Sequence, residues 1–200
     1  MKTKRLLIIV PLLLLIAAVT ARAVPIDYIA NLSGPKEEPP NASPGTGFAD
    51  VTFDLDAHTM RVQVTFSGLI GTTTASHIHS PTAVPFTGTA GVATVVPTFT
   101  DFPLGVTSGT YDKTFDTSLD STYNPAFVTA NGSVDAAEAA LAASLAAGTA
   151  YLNIHSTAFP GGEIRGFLHV PDAGPTMLCL GIGLIGLEMF RRKFGAQLKA

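Results

Sequence analysis

An all-β sandwich is the fold class this sequence predicts, and three observations predict it. Apolar and polar residues alternate over short runs, the period that puts every second side chain on one face of a strand. Glycine and proline, 19 and 14 of the 200 residues, separate those runs, as residues that break regular pairing do. A single segment carries a convincing helical signal.

Residues 26–33 alternate loosely and read as a first strand. Pro35, Pro39, Pro40 and Pro44 make 34–45 a loop, because proline cannot donate to a ladder. Runs 47–55 and 60–67 form the clearest hairpin, with His58-Thr59 at its turn and Val62, Val64 and Phe66 on one face. Gly68 to Gly71 end it, and 72–80 is the strand that carries His77 and His79. A Pro/Gly loop over 81–91 leads to strands expected at 92–96 and 105–115. The helix is expected over 134–147, rich in alanine and leucine. Ser133 suits its N-cap, Asp135 and Glu138 its positive end, and Gly148 its C′ position. Strands at 149–155 and 162–170 complete the set, and no internal repeat suggests a solenoid.

The two ends differ from the middle. Eight of the 12 basic residues lie at or before Arg22 or at or after Arg191. Segment 24–170 keeps Lys36, Arg61, Lys113 and Arg165 against 13 acids, a formal net charge of −9. That balance excludes a nucleic-acid binder, which needs a basic stripe. Residues 1–23 read as a signal peptide: Lys2, Lys4 and Arg5, then an apolar stretch over 6–19, then Ala21-Arg22-Ala23 as the cleavage site. Signal peptidase is the partner this implies. At the other end, Val170, Pro171, Asp172, Ala173 and Gly174 begin a Pro/Gly-broken hinge. An expected transmembrane helix at 177–190 follows, apolar except for Glu188, and Arg191-Arg192-Lys193 closes it. The one cysteine, Cys179, lies in that apolar stretch, so the middle segment has no disulfide.

The middle segment's unusual chemistry sits in His77-Ile78-His79 and in Tyr151-Leu152-Asn153-Ile154-His155. On strands, His77 and His79 share a face with Ala75, and His155 shares one with Tyr151 and Asn153. Glu163, Arg165, Phe167 and His169 share a third. If these strands are neighbours, the polar faces converge. One reading makes the imidazoles structural, with Glu163 and Arg165 paired across strands. The other makes His77, His79 and His155 three neutral ligands for zinc or copper. His58 reads as solvated, His169 has no obvious partner, and Asp54 and Asp56 read as a solvated acidic edge. No G-x-S-x-G elbow, H-E-x-x-H or Walker loop occurs, so no catalytic or cofactor-binding residues are assigned and the protein is expected not to be an enzyme.

Six ordered pieces carry a resemblance: Asn31-Leu32-Ser33-Gly34-Pro35-Lys36-Glu37-Glu38-Pro39-Pro40, Gly45-Thr46-Gly47, Phe66-Ser67-Gly68-Leu69, Ala75 to Pro81, Ala150 to Ser156 and Phe159 to Gly166. In that order and spacing, over about 27–169, the chain resembles the CHRD (chordin) domain family. One departure is Ser80, where the family usually has glycine. The resemblance implies an extracellular β-sandwich module without a defined activity. The His-x-His strand resembles the metal strand of copper/zinc superoxide dismutases in motif alone. The C-terminal hinge, apolar run and basic tail resemble the VPDSG-CTERM variant of PEP-CTERM-like sorting signals, with Ala173 where serine is usual. That resemblance implies an exosortase-type protease as partner. The expectation is therefore a signal peptide (1–23), a CHRD domain (24–170) and a sorting signal (171–200). The domain is expected to be an Ig-like, Greek-key sandwich with one short helix. It is expected to be exported to the cell surface or matrix, with the membrane and envelope or matrix components as partners. Its role is expected to be structural or adhesive, or else that of a zinc- or copper-binding protein or metalloenzyme using His77, His79 and His155.

Overall fold

The computed structural model describes residues 24–171. Seven strands are present: β1 (Ile26–Ser33), β2 (Thr46–Asp54), β3 (Thr59–Ser67), β4 (Thr73–His79), β5 (Gly109–Asp116), β6 (Tyr151–Ser156) and β7 (Ile164–Phe167). Two helices, α1 (Pro125–Asn131) and α2 (Val134–Ala146), lie between β5 and β6. The strands pair antiparallel in the order β4-β6-β7-β1-β2-β3-β5.

The period-2 pattern sets the core. On β1, Tyr28, Ala30 and Leu32 are buried; across it, Ala49, Val51 and Phe53 of β2 face Val64, Val62 and Met60 of β3. Each large side chain taken out of water here contributes about 1.5–3 kcal/mol. Asp54 Oδ1 accepts the Asp56 and Ala57 N–H groups and shapes the β2–β3 turn. The expected acidic edge is thus partly a turn cap.

The Ig-like pair of sheets expected from the sequence is not what the hydrogen bonds describe. One continuous sheet curls until a single segment bridges its outer strands. Along β4, Ala93 N–H donates to Ile78 O (2.9 Å) and Phe99 N–H to Ser76 O (3.1 Å). The Phe99 ring then packs on Tyr111 (6.0 Å) and Phe115 (5.5 Å) of β5. Near the strand's start, Thr73 N–H donates to Val106 O (2.8 Å). The strand expected at 92–96 is reduced to two isolated bridges, His79 with Val92 and Thr94 with Tyr123. Side-chain hydroxyls replace part of its ladder, as when Ile78 N–H donates to Thr94 Oγ1 (3.0 Å).

Helix α2 forms as expected. Ser133 Oγ caps Ala136 N–H (3.1 Å), and Ala137, Leu141 and Leu145 face the core. Helix α1 was not expected from the sequence. It starts with Asn124 Oδ1 capping Ala126 N–H (3.0 Å) and Pro125 in the first turn, and ends at Gly132 with φ 91°. Its seven residues bury only Phe127, too little apolar surface to show a 3.6-residue period. Among the described residues no helix is long and apolar enough to cross a membrane. The expected signal helix at 1–23 and transmembrane helix at 177–190 lie outside the described residues.

Candidate metal centre

Strand register assembles the centre. On β4 and β6, His77 pairs with Asn153, His79 with Tyr151 and Ala75 with His155. His77, His79 and His155 therefore rise from one face of two adjacent strands. Their ring centroids are 5.3 Å (His77–His155), 5.9 Å (His77–His79) and 6.2 Å (His79–His155) apart.

Each imidazole is held by a backbone carbonyl. His77 Nε2 lies 2.7 Å from Pro97 O, His79 Nδ1 2.9 Å from Ala90 O and His155 Nδ1 2.8 Å from Pro160 O. A carbonyl only accepts, so each of these nitrogens carries the ring proton. That leaves His77 Nδ1, His79 Nε2 and His155 Nε2 as bare lone pairs. His77 Nδ1 and His155 Nε2 stand 3.4 Å apart, acceptor facing acceptor. His79 Nε2 is buried without a hydrogen-bond partner among the described residues.

Burial above all, with the neighbouring His155 and His79 and against the Pro97 hydrogen bond, pushes His77 down to about 4. Burial also lowers His79 and His155. The three rings are neutral at pH 7, the form that ligates metals. One nitrogen from each lies within 4.8 Å of the other two. Nitrogens bound at 2.0–2.1 Å on a tetrahedral zinc sit roughly 3.3 Å apart, close to the His77–His155 spacing. Carbonyls bonded to the far nitrogens are the usual means of fixing such tautomers. The residues fit an ion held by three imidazoles.

A buried polar stack adjoins the histidines. The His79 ring lies flat on Tyr151 (4.8 Å between centroids, 6° between planes), and Arg165 lies over the same Tyr151 ring at 4.8 Å. Arg165 donates to Lys36 O and Gly88 O and pairs with Glu38 (3.4 Å) and Glu37 (3.9 Å). Burial raises Glu37 to about 7 although Arg165 opposes it. Glu37 was missed as a site residue: it lies in a loop, where period 2 assigns no face.

The expected Glu163–Arg165 pair does not form. Glu163 is fully buried and accepts from Ser43 Oγ (2.6 Å), Ile70 N–H (2.5 Å) and Gly71 N–H (3.2 Å). Glu163 lies in a bend and β7 begins only at Ile164, so strand alternation does not carry Glu163 onto the Arg165 face. Nor is His58 simply solvated. Its Nδ1 meets the buried Glu138 carboxylate at 2.9 Å, and that hydrogen bond raises its pKa. His169 bridges to Ile29, and its Nδ1 approaches Phe167 O at 3.2 Å. Of the sorting motif, Val170 and Pro171 are exposed; Asp172 and Gly174 lie outside the described residues.

A curled antiparallel sheet carrying three convergent, neutral histidines defines a β-rich binding or structural module. The CHRD domain model matches residues 28–168, and the chain belongs to the CHRD domain family. No curated protein and no solved structure matches the chain.

Proposed function

We propose that this chain is an exported CHRD module that binds one transition-metal ion, zinc or copper, through His77 Nδ1, His79 Nε2 and His155 Nε2. The observation that carries the reading is the acceptor-to-acceptor approach of His77 and His155 at 3.4 Å. With both outer nitrogens committed to carbonyls, two lone pairs face each other and repel. A cation between them removes the repulsion and gives the buried His79 Nε2 its partner. Donor chemistry supports zinc or copper over calcium or magnesium, which take oxygen ligands.

The test is elemental analysis of the purified chain after exposure to each ion, beside a His77→Ala/His79→Ala variant. One equivalent of zinc or copper in the wild type, absent from the variant, is expected. Equal, sub-stoichiometric metal in both would leave the cluster a purely structural one.

Export and surface sorting rest on the two termini. A signal peptide ending at Ala23 and a Val170-Pro171-Asp172-Ala173-Gly174 hinge before an apolar stretch and a basic tail favour signal peptidase and an exosortase-type protease as processing partners. The module then stands at the cell surface or in the matrix, in contact with envelope or matrix components, and is not an enzyme. Intact mass of the mature chain tests this. Ends near Val24 and within 170–176 are expected, whereas a mass extending from Met1 to Ala200 contradicts it.

A further inference from the structure

Two apolar grooves meet where both ends of the domain leave it. In one, Val24, Ile26 and Leu55 stand opposite Ala139, Ala143 and Ala146 of α2. Those three alanines are exposed and lie at i, i+4 and i+7, on one face of the helix. The second groove runs from Ala146 past Leu145 to Phe86 and Val170. Ala146 lines both, so the apolar surface is continuous. Its large side chains are open to solvent: Val24 is 77% exposed, Phe86 58% and Val170 50%. Ile29 N–H donates to His169 O (2.8 Å), which fixes the outgoing chain at Val170 beside the incoming strand β1. Among the described residues no Asp, Glu, Lys or Arg lines either groove, although segment 24–170 holds 13 acids. Contiguous exposed apolar surface of this kind marks an interaction site.

We propose that this surface docks the domain on a lipid bilayer, with its apolar side chains entering the boundary between headgroups and acyl chains. This rests on the expected membrane entry of residues 177–190 and on the sorting reading above. Six residues, 171–176, separate Val170 from that apolar run. Even fully extended, they keep the face within roughly 25 Å of the bilayer. The other apolar stretch, 6–19, joins the domain at the same surface through Val24. The chain's own connections thus bring a bilayer to this face ahead of any diffusing partner. A formal net charge of −9 gives segment 24–170 no attraction to anionic headgroups. Apolar burial therefore carries the contact, and neutral lipid suffices. Docked this way, the domain holds its 170–176 hinge at the headgroups, within reach of a membrane-embedded protease.

The experiment reconstitutes the full-length chain into phosphatidylcholine vesicles that carry bromine on their acyl chains, with flotation to confirm attachment. The sequence has no tryptophan, so Leu55→Trp gives the face a single fluorophore that bromine quenches on contact. Ile70→Trp is the control. Ile70 is exposed and follows Leu69, which packs at Gly45 beside the start of β2, a strand's length of roughly 30 Å from Leu55. Quenching several-fold stronger at 55 than at 70 is expected. Ala143→Glu, which places a charge on the exposed helix face, is expected to remove most of that difference. Should that variant lose its melting transition, Ile26→Ser replaces it, with the same direction expected. Equal quenching at the two positions, or quenching unchanged by the variant, in a chain that floats overturns the docking face and leaves the membrane attachment standing. Blue-shifted emission at 55 without quenching also overturns it, since a second copy or another protein segment then covers the face. A chain that does not float with the vesicles overturns both the attachment and the docking.

Discussion

Each imidazole of the cluster spends its one proton on a backbone carbonyl and turns its bare nitrogen toward the other two. The arrangement makes the metal-free protein sensitive to acid. His77 titrates near 4 in the folded chain against 6.5 for an unperturbed histidine. A lowered histidine pKa means that the native state prefers the neutral ring. The stability it contributes is complete above about 6.5 and is lost as pH falls toward 4. The loss from this residue is on the order of 2 kcal/mol once solvent screening is allowed for. Urea unfolding of the metal-free chain between pH 7.5 and 4.5 is expected to follow that trend, with a smaller slope in His77→Gln. Parallel pH profiles for the two proteins would contradict it. His58 has the opposite sign: Glu138 raises its pKa, so that pair's contribution holds at low pH and fades as pH rises through the raised value.

Elements with strong periodicity are legible in the sequence. Strand β1 falls on its expected bounds, the β2–β3 hairpin forms with its turn over 55–58 and Thr59 already in β3, and α2 starts at its expected cap. Short elements were less so. Helix α1 is announced only by Asn124-Pro125 and Gly132, since seven residues cannot display a helical period. Strand β7 illustrates the other limit: it begins only at Ile164, so a face assignment started at Glu163 fails although it holds from Arg165 onward. Glu163, just ahead of the strand, fastens the Ile70–Gly71 turn and the Ser43 loop onto the sheet. Glu163→Ala leaves those donors buried without an acceptor. It is expected to destabilise the domain by about 3 kcal/mol, read as a lower denaturation midpoint at unchanged m-value. A change below about 0.5 kcal/mol would show that water replaces the carboxylate.

At the scale of the whole molecule, the two His-bearing strands lie far apart in sequence and adjacent in the sheet. Periodicity predicted that His77 and His79 share a face and that His155 shares one with Asn153. It did not predict that β4 and β6 are partners, because alternation assigns faces and is silent on edges. For the same reason it suggested a sandwich where one sheet curls and is bridged from β4 to β5 by Phe99. The carbonyls that orient the rings come from loop residues Ala90, Pro97 and Pro160, whose positions depend on the finished fold. The central claim is that these parts make one metal centre, and X-ray absorption at the metal edge of the zinc- or copper-loaded chain tests it most directly. The expected spectrum has about three imidazole nitrogens near 2.0 Å, with the outer-ring scattering of histidine and no sulfur shell. A shell of oxygen atoms without imidazole scattering, unchanged in His77→Ala/His79→Ala, would contradict it.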